Sequence, residues 1–519
     1  MSDHQERRIN PWIIAVAVMF ATFMEVLDTT VVNVSLPQIA GSLSATVDEA
    51  TWTITSYLVA NAIILPMTGW LASVFGRKNL LLWSVSGFTI ASFCCGLAPN
   101  LSSLIAFRIV QGMTGSVMQP LSQAILLESF APKDRGRAMA FWALGIVVAP
   151  ILGPVLGGFL TDSYSWRWVF YINVPVGIAS LVMTQRFIFD PPYMRKFSGR
   201  IDYWGIGMLA IGIGTLQYVL DKGQQEDWFS SNVIVVLSIV SVFVLGLLIV
   251  HEWTAEHPIV DLKVFKERTY AIGVFLMMIV GFGLYGSMVL LPILLQTLLG
   301  YPALQAGIAM APRGLGAFLM MPIVGILTGR VDPRRLLFTG LTITGLTMFW
   351  LGHSSLDTGY WDVFWPQFTQ GVGMSLLFVP LTTTTMASIA PERMNNATSL
   401  FNLMRNIGGS IGIAVSGTML ARNRQSVGSV LGEHLTLLDE STRTTIDQIA
   451  AGLAAAGVDL TTATERSYAA LNGLLARQAA MVSFVTVFRS LGVLFFLFLP
   501  LVLLMKRPTG RSVPPGGAH

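Results

Sequence analysis

The sequence predicts an all-α integral membrane protein, and three observations support this fold class. The 519 residues are 53% hydrophobic and only 12% charged, with a mean hydropathy of +0.65. Such a high hydrophobic fraction with so few charged residues is typical of membrane proteins and unusual for water-soluble domains. Apolar runs that reach the roughly 20 residues of a membrane-crossing helix follow one another along most of the chain. The second half of the chain also repeats the first.

Fourteen apolar segments are bounded by charged residues, proline or glycine. They lie at residues 12–38, 50–73, 79–98, 101–127, 138–160, 167–188, 203–221, 232–251, 271–298, 303–328, 336–353, 363–388, 398–421 and 482–505. The first segment does not fit a cleaved signal peptide, because it is too long and contains Glu25 and Asp28. We therefore expect fourteen transmembrane helices with both termini on one side.

The distribution of basic residues orients these helices. If both termini are cytoplasmic, the short outer loops carry only Arg167 and Lys222, whereas most Lys and Arg residues lie in the inner loops. The other outer basic residues lie in the long loop 422–481, where the positive-inside rule has little force. The sequence therefore predicts that the N- and C-termini are cytoplasmic.

An internal repeat relates the two ends of the chain. At an offset of 259 residues, Gln111-Gly112 recurs as Gln370-Gly371 and Gly153 as Gly412, and at an offset of 256 residues Pro66 and Gly69 recur as Pro322 and Gly325. Since each copy holds six segments, the copies share one orientation and form a parallel repeat. We expect two six-helix bundles with two inserted helices between them.

The repeat defines the predicted domains. They are a cytoplasmic N-terminus (1–11), an N-terminal bundle (12–190), a linker with the inserted helices (191–270), a C-terminal bundle (271–505) that includes the periplasmic loop 422–481, and a cytoplasmic tail (506–519). In such proteins the substrate site lies between the halves, which rock against each other around it.

Three ionisable residues within the spans are the first candidates for function. Each costs about 2.5 to 3.5 kcal/mol on insertion scales, so a functional role is the default hypothesis. Glu25 and Asp28 share one helix face. At about 1.5 Å of rise per residue, Asp28 and Arg108 reach comparable depths in the outer half of the bilayer. Burial favours a neutral acid and a nearby guanidinium favours a carboxylate, so such a pair suits a proton switch. Alternatively, Arg108 only satisfies backbone carbonyls.

Further polar residues within the spans are candidates for a substrate cavity. They are Asn33, Tyr57, Asn61, Gln111, Gln119, Gln123, Tyr285, Gln370, Asn402, Arg405 and Asn406. On the fourth span Arg108, Gln111 and Gln119 lie on one stripe with Gly112 and Gly115. The alternative is a close-packed helix interface with satisfied amides.

The sequence lacks the motifs of ATP binding and of zinc-dependent hydrolysis. No lysine lies in a G-x-x-x-x-G-K-[ST] pattern, and the six histidines form no H-E-x-x-H motif. We therefore expect no ATP site, no metal and no cofactor, and transport driven by a gradient. An enzyme is not expected.

Local motifs resemble those of a known family. The segment Leu27–Pro37 around Asp28 resembles the first-span signature of proton-coupled drug antiporters of the major facilitator superfamily. The other matching motifs are Gly69-Trp70-Leu71 with Gly76-Arg77-Lys78, Leu104 with Arg108 and Gln111-Gly112, Gly145 with Gly153-Pro154 and Gly157-Gly158, and Trp166-Arg167-Trp168 with Phe170–Pro175. The last of these motifs is typical of the fourteen-span branch of the family.

The resemblance implies drug/H+ antiport across a bacterial inner membrane, with hydrophobic or amphipathic drugs and uncouplers as substrates. It also implies a periplasmic adaptor and an outer-membrane channel as partners in a tripartite pump. Proton coupling would fall to Asp28, Glu25 and Arg108. Conformational switching would involve Gly69, Gly76, Arg77, Lys78, Gly153, Pro154, Gly157 and Gly158. Two alternatives stay open: a proton-coupled exporter of a natural metabolite such as a siderophore or fatty acid, and a non-transporting sensor or scaffold.

Three features depart from the family pattern or add to it. Ser73 stands where the loop motif usually has an acidic residue, and Asp134 is a candidate to replace that acid. Ala149 stands where the fifth-span motif often has glycine. The Ala-rich stretch 445–480 of the long outer loop has helical character. We expect it to dock an adaptor or, alternatively, to form a hairpin that rests on the transporter itself.

Overall fold

The computed structural model describes residues 10–190, 201–433, 435–436 and 439–505, and within these ranges the regular structure is helical. The N-terminal half contains α1 (Pro11–Ser42), α2 (Val47–Ala50), α3 (Trp52–Ile64), α4 (Thr68–Phe75), α5 (Arg77–Leu97), α6 (Leu101–Gly115), α7 (Met118–Ser129), α8 (Arg135–Ser163), α9 (Trp168–Tyr171) and α10 (Asn173–Phe187). The inserted helices are α11 (Tyr203–Lys222) and α12 (Asn232–Thr254). The C-terminal half contains α13 (Arg268–Ile293), α14 (Ala303–Met310), α15 (Pro312–Leu327), α16 (Pro333–Leu351), α17 (Tyr360–Met386), α18 (Met394–Glu433), α19 (Glu440–Ala455) and α20 (Leu460–Phe498). The predicted termini 1–9 and 506–519 and linker residues 191–200 lie outside the described residues.

Each of the fourteen predicted segments lies on one helix or on consecutive helices, which confirms the helical fold class. By length and hydropathy, nine helices in the described ranges are able to cross a membrane, or ten if the bent α8 is one span. The count of fourteen spans and the orientation of the termini stay predictions. The fourth segment is two helices, because α6 ends at Gly115 and α7 begins at Met118.

Polar side chains begin several of these helices. Asn10 accepts a hydrogen bond from the backbone N–H of Trp12 at the start of α1, and Asp202 accepts one from Gly205 at the start of α11. Such caps satisfy backbone donors that have no partner within the helix. At the other end of α4, Gly76 has a φ of +80°, which only glycine adopts readily.

Matching close contacts support the parallel repeat. In the N-terminal half, the missing side chain of Gly112 admits the backbone carbonyl of Tyr57, so α6 packs directly on α3. In the C-terminal half, Gly371 admits the carbonyl of Arg313 in the same way, so α17 packs on α15. Gly371 is the repeat partner of Gly112, and the two halves therefore share this packing.

The two halves meet closely at the predicted cytoplasmic side. A Cβ atom on Gly69 would lie 2.8 Å from the Cα of Asn396, and one on Gly136 would lie 2.8 Å from the carbonyl oxygen of Gly325. Ser399 also donates a hydrogen bond of 3.5 Å to the carbonyl of Pro66. Gly69, a predicted switch residue, thus lies at the contact between the halves.

Helix α11 contacts both halves. On one side Thr55 of α3 donates a short hydrogen bond to Asp221. On the other side Gln217 donates a hydrogen bond of 3.0 Å to Ser410 of α18, and the indole of Trp228 donates one of 2.8 Å to Thr418. The inserted helices α11 and α12 are therefore packed against the repeat, because α11 lies between α3 and α18.

The long outer loop is helical, and the helices on either side of it continue well beyond the predicted spans. Helix α18 has 40 residues, which corresponds to about 60 Å of rise against about 30 Å for a hydrocarbon core. Helix α20 begins at Leu460 rather than near 482. Ile446 of α19 is 5% exposed, and Arg477 donates a hydrogen bond of 2.9 Å to the carbonyl of Leu298. We call α19 and the projecting ends of α18 and α20 the periplasmic hairpin.

Helix α8 offers a test of close packing against α1. An added Cβ at Gly153 would overlap the hydroxyl of Thr30, whereas one at Gly158 would meet nothing within 4 Å. Both Gly→Ala changes gain helix propensity, about 1 kcal/mol, so the pair is matched. We expect Gly153→Ala to be about 1 to 3 kcal/mol less stable than Gly158→Ala, through overpacking. Thermal unfolding of the purified variants measures this difference, and equal unfolding temperatures would contradict the packing described.

Candidate functional site

A buried ion pair joins α1 to α6. The guanidinium Nη1 of Arg108 lies 2.5 Å from Oδ2 of Asp28, and these side chains are 1% and 0% exposed. Charges removed from water are stable only when their partners are close and hydrogen-bonded. The predicted pairing of Asp28 with Arg108 at matching depth is present in the structure.

Two amides complete the surroundings of Asp28. Gln111 donates a hydrogen bond of 2.9 Å to Oδ1 of Asp28, and Asn173 of α10 donates one of 2.8 Å to the same oxygen. Asn173 also donates to Ser92 of α5 at 3.0 Å. Sequence reasoning missed Asn173 as a partner, although it lies within the Phe170–Pro175 motif. Three donors therefore hold the carboxylate of Asp28.

Arg108 also contacts α3. Its Nε donates a hydrogen bond of 3.0 Å to the carbonyl of Thr53, and its guanidinium lies 4.2 Å from the centroid of the Tyr57 ring. A cation over an aromatic face is stabilised by the quadrupole of the ring. Arg108 thus both pairs with a carboxylate and satisfies a backbone carbonyl, and its role in proton coupling stays a prediction.

Glu25 lies one helical turn from Asp28 and has fewer partners. Asn61 donates a hydrogen bond of 3.4 Å to Oε1 of Glu25, while Oε2 has no hydrogen-bond partner among the described residues. The side chain is 7% exposed. Arg405 of the C-terminal half is near enough to attract Glu25 electrostatically. Glu25 is therefore a buried acid at the interface between the halves.

Polar side chains of α7 and α18 meet across this interface. Arg405 donates a short hydrogen bond to Oε1 of Gln119. One turn away, Asn402 donates a hydrogen bond of 2.7 Å to Oε1 of Gln123. All four side chains are buried. We call Glu25, Gln119, Gln123, Asn402 and Arg405 the interface network, and its residues come from both copies of the repeat.

Other predicted cavity residues lie apart from the interface network. Asn33 is exposed on α1, and the half-buried Tyr285 packs its ring against Gly409. Asn406 accepts a hydrogen bond of 3.4 Å from Arg405 at the edge of the network. Gln370 lies within the C-terminal half, where it donates to Ser287 at 3.3 Å. Their role in binding substrate stays a prediction.

The loop motif between α4 and α5 forms its own ion pair. Arg77 contacts Glu128 through two hydrogen bonds, of 2.5 Å and 2.6 Å. Asp190 accepts a hydrogen bond of 2.9 Å from the backbone N–H of Lys78. Ser73 donates to the carbonyl of Trp70 within its own helix. The acid that pairs with Arg77 is therefore Glu128, a residue that sequence reasoning did not consider.

The structure does not place Asp134 in the role considered for it. Asp134 lies 3.7 Å from Arg137, one turn along α8, and the two side chains are partly exposed. In the fifth-span motif, a Cβ on Gly157 would lie 2.9 Å from the carbonyl of Val31, whereas Gly158 faces open space. Gly153 and Gly157 thus serve close packing against α1. The side chain of Pro154 lies outside the described part of the chain.

Comparisons with known proteins identify the class. Residues 18–413 match the family described as the Major Facilitator Superfamily. Two solved structures share the fold with a TM-score of 0.60 each: the human organic anion transporter MFSD10 (TETRAN), at 12% identity over 95% of this chain and 100% of the other, and the proton:xylose symporter XylE, at 14% identity over 96% of each chain. The chain belongs to the major facilitator superfamily and is a membrane protein of the transporter fold.

Curated relatives narrow the comparison within this superfamily. The chain is 38% identical to the multidrug export protein EmrB of Escherichia coli K12 over 510 residues, 98% of each chain. It is 40% identical to EmrB of Haemophilus influenzae over 425 residues, 82% of this chain and 83% of the relative. It is also 38% identical to the fatty acid resistance protein FarB of Neisseria gonorrhoeae over 502 residues, 96% of each chain. These identities confirm the resemblance to drug exporters drawn from the motifs.

The ion pair between Asp28 and Arg108 yields a test. Arg108→Gln leaves the buried carboxylate without its cation, and we expect a loss of stability of about 3 to 5 kcal/mol. The double variant Asp28→Asn/Arg108→Gln removes both charges and should recover most of this loss. Thermal unfolding of the purified single and double variants measures the coupling.

Arg477→Gln is the control, because Arg477 donates one hydrogen bond to a carbonyl and is exposed, with no carboxylate partner among the described residues. We expect only a small effect there. If the two losses at Asp28 and Arg108 simply added, the pair would not be the stabilising unit described.

Proposed function

We propose that the protein is a proton-coupled exporter of hydrophobic or amphipathic drugs and uncouplers, working by drug/H+ antiport. The names of its EmrB relatives support multidrug export, since these relatives match nearly the whole chain. Buried carboxylates on α1 support proton coupling. No cofactor is invoked, because the proton gradient supplies the energy.

The observation that carries this proposal is the position of Glu25. It belongs to the N-terminal half, has one oxygen without a partner, and is attracted by Arg405 of the C-terminal half. Three residues along the same helix, Asp28 is held by Arg108, Gln111 and Asn173. Glu25 is therefore the acid whose charge acts between the halves, and Asp28 is the acid that fixes its helix.

Protonation of Glu25 would change the contact between the halves. A neutral Glu25 no longer attracts Arg405, so one electrostatic contribution to the closed interface is lost. A ligand or proton shifts a conformational equilibrium only by its differential affinity for the two states. Proton binding at Glu25 would thus bias the halves toward one state, and release on the opposite side would bias them back.

We assign this cycle to a bacterial inner membrane, with protons flowing inward. Each charge that crosses the full membrane field contributes about 2.3 kcal/mol per 100 mV. Exchange of one inward proton for one outward monovalent cation moves no net charge, so only the pH gradient drives it. Exchange of one inward proton for one outward uncharged drug moves one net charge, so the membrane voltage drives it as well.

We further propose that the periplasmic hairpin docks an adaptor of the EmrA type, which connects to a TolC-like channel in the outer membrane. The hairpin projects beyond the expected bilayer and displays apolar side chains. Leu460 is 76% exposed, Leu474 is 51% exposed and Tyr468 is 46% exposed. Apolar residues on a polar projection favour a protein partner over a solvated arm.

One relative favours a second candidate substrate. The chain matches the fatty acid resistance protein FarB over 96% of its length, close to the 98% over which it matches EmrB. Export of a natural fatty acid would use the same proton-coupling residues. Drug export and fatty acid export thus differ in the substrate and share the proposed mechanism.

Efflux from liposomes tests the exporter. We expect the reconstituted wild type to expel a fluorescent hydrophobic cation when a pH gradient is imposed. Glu25→Gln should abolish this efflux because an amide does not titrate, and Asp28→Asn should abolish it because Arg108 then loses the carboxylate that fixes α1. Fluorescence of the probe measures the rate.

The matched control is Glu226→Gln, which neutralises an exposed carboxylate outside the site. It should expel the probe at the rate of the wild type. A wild type that binds the probe but never moves it would instead identify a sensor or scaffold. Efflux that survives Glu25→Gln unchanged would contradict the role given to Glu25.

Co-purification tests the adaptor proposal. Leu460→Glu and Leu474→Glu place charges on the apolar surface of the hairpin, and we expect each to weaken capture of a co-expressed EmrA-type adaptor at least several-fold. Gln448→Glu adds a charge to an exposed polar position of α19 and serves as the control. Equal capture by all four proteins would show that this surface is not the docking site.

A further inference from the structure

A second buried polar cluster lies in the C-terminal half, at the positions that repeat the ion pair. At the offset of 259 residues, Asp28 corresponds to Ser287, Arg108 to Gln367 and Gln111 to Gln370. These three residues are buried and lie together in the structure, as their counterparts do. The C-terminal half therefore keeps the site but has lost both charges of the original pair.

The positive charge in this cluster belongs to an arginine at a different position of the repeat. Arg313 stands where the N-terminal half has Tyr57, at the offset of 256 residues. The structure supports the correspondence, because Gly371 receives the carbonyl of Arg313 as Gly112 receives that of Tyr57. A guanidinium thus replaces the aromatic ring that covers Arg108 in the other half.

Arg313 is bound by neutral groups alone. Its Nε donates a hydrogen bond of 3.1 Å to Gln367, and its Nη2 donates hydrogen bonds of 2.6 Å to Gln370 and 3.5 Å to Ser287. Its Nη1 is buried without a hydrogen-bond partner, and the residue is only 9% exposed. Among the described residues, no carboxylate lies within 4.0 Å of it.

The two halves therefore differ in charge balance. In the N-terminal half the carboxylate of Asp28 neutralises Arg108, whereas in the C-terminal half one buried positive charge has no counterion. A buried charge without a partner is strongly unfavourable. The Nη1 of Arg313, which donates to no acceptor among the described residues, marks the place where an anion would be bound.

We propose that Arg313, Gln367, Gln370 and Ser287 form a binding site for the carboxylate of an amphipathic anion. A guanidinium binds carboxylates through two parallel hydrogen bonds, and the free Nη1 supplies one of them. Arg313 lies about 15 Å of helix rise from the start of α14, near the middle of the bilayer. Lipid phosphates lie at the bilayer surface and do not reach this depth, whereas a carboxylate on a small amphipath is able to enter between the helices.

The assignment of this anion as a transported substrate rests on the proposed export function. Binding itself does not, since it is measured without transport. Weakly acidic amphipaths would then be held by the C-terminal half, while the N-terminal half binds the proton. The anion site would then occupy, in the C-terminal half, the position of the Asp28–Arg108 pair, which lies one helical turn from Glu25 in the N-terminal half.

Equilibrium binding of radiolabelled dodecanoate to the full chain in nanodiscs tests the site. We expect saturable binding by the wild type and at least tenfold weaker binding by Arg313→Gln, with Arg313→Lys intermediate. Ser287→Asp should also lose binding, because it returns an internal carboxylate to the guanidinium, as in the N-terminal half. We expect Ser287→Asp to unfold at a higher temperature than Arg313→Gln.

Arg489→Gln is the matched control, since Arg489 donates to the carbonyl of Gly352 away from the cluster. It should bind dodecanoate like the wild type. Dodecanol, which has the same chain without the charge, should bind equally to the wild type and to Arg313→Gln. Undiminished dodecanoate binding by both Arg313→Gln and Ser287→Asp would overturn the proposal.

A cation efflux assay on the same preparations separates this inference from the exporter proposal. We expect Arg489→Gln to retain both dodecanoate binding and efflux of the hydrophobic cation, whereas Arg313→Gln loses dodecanoate binding. If the wild type binds dodecanoate through Arg313 but expels nothing, the anion site stands and the export proposal fails. If the wild type expels the cation but the Arg313 variants bind dodecanoate as tightly as the wild type, the export proposal stands and the anion site fails.

Discussion

The cost of holding a charge inside the membrane governs the arrangement of the N-terminal half. Asp28 and Arg108 are stable there because each satisfies the other and because α3 and α10 supply further partners. Those partners reach the pair only if the helices approach closely. Gly112 provides this approach between α6 and α3. This glycine is thus part of the electrostatic solution, since it brings the Thr53 carbonyl and the Tyr57 ring within range of Arg108.

The repeat keeps this geometry and changes its chemistry. The same close contact of glycine with a backbone carbonyl occurs at Gly112 and at Gly371. The polar side chains around it differ, with a neutral ion pair in one half and a single guanidinium in the other. A duplicated scaffold can therefore carry two different binding functions, because packing between helices depends on small residues while binding depends on the side chains that point between them.

Much of the fold follows from the sequence, because apolar runs of membrane length define helices directly. The pairing of Asp28 with Arg108 also followed, since depth along a helix is read from residue count. Partners that depend on how helices rotate did not follow: Asn173 faces Asp28, and Glu128 faces Arg77, through packing that no local pattern encodes. The ends of α18 and α20 did not follow either, because a hydropathy boundary marks the edge of the bilayer and not the end of a helix.

The position of α11 gives the molecule a mechanical asymmetry. Asp221 and Gln217 tie this helix to α3 of one half and to α18 of the other. If the halves rock against each other as expected for this fold, the distance between α3 and α18 changes, and the two attachments do not both survive. Helix α11 would then travel with one half and slide along the other. The seam between α3 and α18 is thus covered by an inserted helix, whereas elsewhere the halves meet directly, as α8 does with α14 and α15.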